Sequence, residues 1–191
     1  MWSKHNLTAI SVVIYIILTS MSNVNAQQTY AVERYMDAVF PVTVDYDIPL
    51  AQMILNGKYS SVSPDIKAEN FPIVGSGKVN VNIELVYLRD RHRYINMAFD
   101  DILLSLNLNN YRPITLPEIL AFDTAYPYEK CQRITILAMG SSLKSWDGDE
   151  QVIWLNGGWS LGNSHLKLIR TNHGFRGYTV IAVVRKSSED N

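Results

Sequence analysis

Three tryptophans, Trp146, Trp154 and Trp159, fall within one turn-rich stretch. Asn156, Asn163, His165, Asn172, His173 and Arg176 surround them in sequence. Flat indole rings beside amides and a guanidinium suit a protein, peptide or glycan ligand: the rings stack, and the polar groups take up hydrogen bonds. This pattern assigns ligand binding to Trp146, Trp154, Trp159, Asn156, His173 and Arg176, on the loops of residues 145–176. The competing role for the same rings is core packing, because tryptophan is highly buried on average.

Other chemistry-bearing residues make weaker sets. Cys131 with His165 or His173 has the residue types of a thiol–imidazole hydrolase, and a histidine–carboxylate set is its variant. Ser141 and Ser142 follow a glycine without forming a G-x-S-x-G elbow. His165 and His173 flank a turn, with neither an H-E-x-x-H helix nor a Cys/His cluster to make zinc ligands. Asp147, Asp149 and Glu150 offer oxygens, but the loop lacks the further ligand positions of a calcium-binding hand. Gly75-Ser76-Gly77-Lys78 precedes a strand pattern, whereas a phosphate loop precedes a helix. Asp100 and Asp101 sit where a helix start favours negative charge. No catalytic residue, metal or cofactor is therefore assigned.

The chain has 191 residues and a formal net charge of −1. With no basic stripe, nucleic acid is excluded as a partner class. Lys4 and His5 precede the apolar run Leu7–Leu18, and Val24-Asn25-Ala26 places small residues where a signal peptidase cuts. That run is short of the roughly 20 residues that span a bilayer, so residues 1–26 read as a secretory signal peptide. The expected product is secreted or periplasmic, with no membrane association after cleavage. A single cysteine allows no intrachain disulfide. The remaining length is that of one domain with its own core. Its expected division is a leader over 27–38, either loose or a short helix, followed by a single domain over 39–191.

Patterning then predicts the elements that position the candidate residues. Val42, Val44 and Tyr46 alternate with polar residues as in a strand. Asp47 is the expected cap of a short helix through Leu50, Met53 and Ile54, ended by a left-handed turn at Asn56-Gly57. Lys78–Leu88 alternates cleanly, with both faces apolar toward its end. Phe99, Ile102, Leu103 and Leu106 share one face of a second helix over about 97–106, with Asn96 as the expected cap. The clearest helix start is Thr115-Leu116-Pro117-Glu118, a capping box with Ile114 and Ile119 as its hydrophobic staple. Beyond Pro127 the pattern becomes strands: Ile134–Ala138 broken by Gly140-Ser141-Ser142, an Asp147-Gly148 hairpin, then Val152–Leu155, His165–Ile169 and Tyr178–Arg185. These elements predict an α+β domain with a mostly antiparallel sheet and about three helices.

Arg112-Pro113-Ile114-Thr115-Leu116-Pro117-Glu118, Gly140-Ser141-Ser142 and Val183-Val184-Arg185 together resemble C-type-lectin-like domains in the broad bacterial and phage sense. The likeness covers residues 111–186 and implies a lectin-like C-terminal half. The lectin disulfides and the calcium–sugar tripeptides Glu-Pro-Asn and Trp-Asn-Asp are absent, so calcium-dependent sugar binding is not implied. The cysteine pair of the related formylglycine-generating enzymes is absent too. Asp45-Tyr46, Gly57-Lys58-Tyr59, Arg112–Phe122 and Ala182–Lys186 also resemble a group of small uncharacterised bacterial domains. The expected function is an exported ligand-binding or interaction domain. The alternatives are a hydrolase using Cys131 or a histidine–carboxylate set, and a structural or assembly subunit.

Overall fold

A computed structural model describes residues 28–89, 97–127, 134–156, 164–175 and 179–187. The elements run β1 (Ala31–Asp45), α1 (Leu50–Asn56), β2 (Ser61–Val62), β3 (Lys78–Arg89), α2 (Phe99–Leu108), β4 (Tyr111–Pro113), α3 (Leu116–Ala125), β5 (Thr135–Lys144), β6 (Glu150–Asn156), β7 (His165–Arg170) and β8 (Val180–Arg185). The strands form one mixed sheet of order β1-β3-β8-β5-β6-β7-β2, with β4 also paired to β8. The fold is α+β.

Alternation along the strands gives the sheet two apolar faces. On one face Val42, Val44, Ile83, Leu85, Ile136, Ile153, Leu155 and Ala182 pack with Leu50 and Met53 of α1 and with Ile119, Leu120 and Phe122 of α3. On the other face Val86, Leu88, Leu137, Met139, Val152, Ile181 and Val183 pack with Ile102 and Leu106 of α2. The apolar residues at the end of β3 thus have a partner on each side, as their pattern predicts.

Helix α3 begins as its local sequence dictates. The Glu118 carboxylate accepts from the Thr115 backbone N–H at 2.7 Å, and the capping box closes. Both staple residues, Ile114 and Ile119, are fully buried in the same core. Glu118 also receives a two-pronged bond from Arg112, at 2.9 and 2.7 Å. At the far end Phe122 meets Phe40 edge-on with ring centroids 5.3 Å apart.

A second polar clamp joins β1, β3, β4 and β8. Buried Glu84 pairs with Arg185 at 3.0 Å and Arg34 at 3.2 Å, and accepts from the Tyr111 hydroxyl at 3.1 Å. Burial, then the Glu84 charge, pushes the Tyr111 hydroxyl above its ordinary pKa.

Five expectations need correction. Residues 27–38 are neither loose nor helical from Ala31 onward, since they open β1. Gln28 N–H donates to Asp101 and Tyr30 N–H to Ser105, tying this segment to α2. A register shift between Arg34 and Val39 interrupts the pairing with β3, which scrambles the alternation. Asp47 does not cap α1: Pro49 holds the cap position, and Asp47 accepts from the Gly77 N–H at 2.9 Å instead. The left-handed residue after α1 is Lys58 (φ 51°), while Gly57 is helical. Helix α2 starts at Phe99 with Ala98 at its cap position, and Asn96 lies outside the described residues.

Gly140-Ser141-Ser142 does not break β5 but runs through it, with a register shift between Ala138 and Ser142. The physical reason is β4. Ile114 N–H donates to Ala182 while its carbonyl accepts from the Gly140 N–H, so β4 wedges in where β5 parts from β8. Only a residue without Cβ fits there, since a Cβ on Gly140 would sit 2.7 Å from the carbonyl oxygens of Pro113 and Ile114. Two ladders, β5–β8 and β2–β7, are parallel, whereas β1–β3, β3–β8, β4–β8, β5–β6 and β6–β7 are antiparallel.

Candidate functional site

The Asp-Gly dipeptide makes the hairpin that its sequence predicts. Lys144 faces Glu150 across β5 and β6. The Gly148 N–H donates to the Ser145 carbonyl at 2.9 Å, and the Ser145 N–H to the Asp149 carbonyl at 2.8 Å. Gly148 closes the turn at φ 89°, a left-handed conformation that glycine adopts without strain. Trp146 occupies the second position of this turn and is 94% exposed.

The tip is pinned to the end of β7. Arg170 Nη1 contacts Asp147 at 2.5 Å and Asp149 at 3.0 Å, and the Asn172 amide donates to Asp149. The Ser145 hydroxyl bonds Asp147 as well. That hydroxyl, followed by Arg170, holds the Asp147 carboxyl below its ordinary pKa. Trp146 therefore stands on a turn fixed from both flanks.

Beside the hairpin lies an open cleft of about 810 Å³. Ala98, Phe99 and Asp100 line it from the start of α2, Lys144 and Glu150 from the hairpin, and Thr171–Gly174 from the β7–β8 turn. A two-way backbone bridge between Met97 and Phe175, at 2.9 and 3.0 Å, clamps α2 to that turn. The cleft thus gathers two carboxylates, an ammonium, an imidazole, an amide and a hydroxyl, a set suited to holding a polar ligand by hydrogen bonds. A smaller hollow of about 220 Å³ lies between β1, α1 and α3, lined in part by Thr43, Asp45, Met53, Leu120 and Thr124. Among the described residues, no three metal-ligating side chains gather.

The structure divides the residues marked by sequence. Trp146 and His173 come to the same end of the sheet, with His173 in the cleft and Trp146 on the adjoining tip. Trp154 is half-buried along β6 against the second core, with Lys167 Nζ 5.9 Å from its ring centroid. Its indole nitrogen is buried without a hydrogen-bond partner. Asn156 sits at the opposite end of β6 from Glu150, about 20 Å away at strand rise, and faces His165. Trp159, Arg176 and Cys131 lie outside the described residues, so the cysteine–histidine pairing does as well.

Sequence reading missed Lys144, Glu150 and Asp100 as cleft residues. Lys144 and Glu150 flank the Asp-Gly turn symmetrically, and the hairpin register alone would have placed them together. Asp100 arrives from a distant helix, and no local signal marks it. In comparison with known proteins, no family model, curated protein or solved structure matches the chain.

Proposed function

We propose that this protein is an exported binding domain whose ligand surface is the β5–β6 hairpin tip with its adjoining cleft. One observation carries the reading: a tryptophan 94% exposed on a turn pinned by Arg170 and Asn172, next to a polar concavity. Burying a large apolar side chain is worth about 1.5–3 kcal/mol, and an indole left in water keeps that free energy for a partner. Its rigid mounting lowers the entropy lost on binding. The ligand class is a peptide or glycan, taken by stacking on Trp146 and by hydrogen bonds with Asn172, Glu150, Asp100 and His173.

The segments that carry the likeness to C-type-lectin-like domains fall on β4, α3, β5 and β8, which contact one another through Ile114, Gly140 and Ala182. That packing supports a lectin-like C-terminal half as part of this proposal. Secretion or a periplasmic location rests on the signal-like residues 1–26.

The test is a peptide and glycan array probed with the exported protein and with Trp146→Ala. The expected result is a retained ligand whose affinity falls at least about tenfold in the variant, the equivalent of ~1.4 kcal/mol. Equal affinity in the two proteins overturns the proposal. A second reading, a hydrolase with a histidine–carboxylate set, is favoured by His173, Asp100 and Glu150 lining one cleft. Turnover of the retained ligand, abolished by Glu150→Gln, would select it.

A further inference from the structure

A separate row of polar side chains crosses the opposite end of the sheet. Asn156 on β6 faces His165 on β7, and His165 faces Ser61 on β2. Residues in register on adjacent strands project from the same face, with Cβ atoms about 4.5–5.5 Å apart. The order across the three strands is amide, imidazole, hydroxyl. Ser61 Oγ lies 2.7 Å from His165 Nδ1. With the imidazole proton on Nε2, Nδ1 accepts from the Ser61 hydroxyl.

The backbone holds this pair in place. Ser60 N–H donates to the Ser164 carbonyl and Ser63 N–H to the Leu166 carbonyl, each at 2.9 Å, one on either side of the Ser61–His165 register. Ser61 is exposed, so a substrate reaches its oxygen, and His165 is half-buried. Asn156 is in register with His165 on the strand away from Ser61, the side on which nucleophile–base sets carry an orienting third group.

We infer that Ser61 is an activated nucleophile for acyl transfer, with His165 as its general base and Asn156 as a positioning residue. The substrate class is a carboxylic ester. The Ser61 oxygen forms a bond to the carbonyl carbon while its proton passes to Nδ1 of His165. The tetrahedral adduct collapses, the bond to the alcohol oxygen breaks, and the departing alkoxide takes that proton. Water, deprotonated by His165, then attacks the acyl-serine, and Ser61 leaves as the hydroxyl. This activity is distinct from ligand binding at the hairpin, at the other end of β6.

The experiment treats the folded chain with a fluorophosphonate probe and maps the adduct by mass spectrometry. The expected result is one adduct, on Ser61 and not on Ser60 or Ser63. Ser61→Ala abolishes it, and His165→Gln slows labelling about 100-fold, the usual range for a general base. Asn156→Ala slows it less, with recovery in Asn156→Asp. Hydrolysis of p-nitrophenyl acetate should follow the same order. Absence of an adduct on the wild-type chain overturns the inference, as does an unchanged rate in a folded His165→Gln variant. The wild-type map needs no substitution, so misfolding of a variant cannot obscure the outcome.

Discussion

The hydroxyl oxygen of Ser141 accepts a hydrogen bond from the backbone N–H of Leu116 at 2.9 Å. Strand β5 thereby satisfies a donor at the start of helix α3 that Thr115 and Glu118 do not reach. Ser141→Ala removes that acceptor. The expected loss is about 1 kcal/mol of stability, as for other helix-start caps, read from the urea midpoint at constant m-value.

Next to it, Gly140 faces the carbonyls of Pro113 and Ile114. Gly140→Ala forces β4 away from β5 at a point where backbone meets backbone. Overpacking of this kind costs about 1–3 kcal/mol. On a domain of this size the melting temperature should fall by roughly 2–4 °C per kcal/mol. A variant as stable as wild type would refute the wedge described for β4.

Glu118 is buried and accepts from Arg112 and the Thr115 N–H together. Glu118→Ala leaves a guanidinium and a helix-start donor without their acceptor. The expected destabilisation is about 2–4 kcal/mol, short of a fully buried pair because Arg112 reaches solvent. Arg112→Lys keeps the charge but loses the fork, and should cost less, about 1 kcal/mol. Equilibrium unfolding of the two variants ranks them.

Asp147 gives the hairpin an acid-sensitive pin. Its carboxyl is held below its ordinary value of 3.8 by the Ser145 hydroxyl first and Arg170 next. A depressed folded pKa contributes stability above the unfolded value, which is lost as pH falls through the folded one. The turn should stay fixed at pH 5 and loosen below about pH 3.8. Trp146 fluorescence anisotropy, taken as the difference from Trp146→Phe, should fall in that window. Asp147→Asn should show the loosened signal at neutral pH.

Tyr59 sets the alkaline limit. Burial, then the neighbouring Asp123 carboxylate, pushes its hydroxyl far above the ordinary value of 10.0. The folded chain keeps this proton where the unfolded chain releases it, so stability is full below about pH 10 and declines above it. The slope from this group approaches ~1.4 kcal/mol per pH unit. Tyr59→Phe should flatten that decline, measured as unfolding free energy between about pH 10 and 11.5.

Helix α3 and the Asp147-Gly148 hairpin were legible from sequence because both are written in adjacent residues: the capping box and the tight turn each close over four positions. The start of β1 was not legible, because pairing with β3 and the bulge after Arg34 override a weak local pattern. Nor could sequence show that Gly140 faces a wedge instead of a break, since the intruding strand comes from residues 111–113. The cleft and the Ser61–His165 contact share that origin. Asp100 meets residues near 150 and 173, and Ser61 meets His165 across 104 positions, so neither leaves a periodic trace. Trp154 carried the right residue type and served the core instead.

Strand β8, which follows every other described strand in sequence, is an inner strand of the sheet. Val180–Arg185 pairs with β3 and β4 on antiparallel ladders and with β5 on a parallel one. Until those six residues emerge, no hydrogen-bonded ladder joins the β1–β3 ribbon to the β5–β6–β7 ribbon, and each presents an edge of unpaired backbone N–H and C=O groups. Synthesis from the N-terminus therefore delivers the keystone after every strand that it joins. Closure is governed by distant contacts, which slow folding. A nascent chain halted before Val180 should be a protease-sensitive pair of half-sheets, a natural client for holding chaperones until β8 emerges.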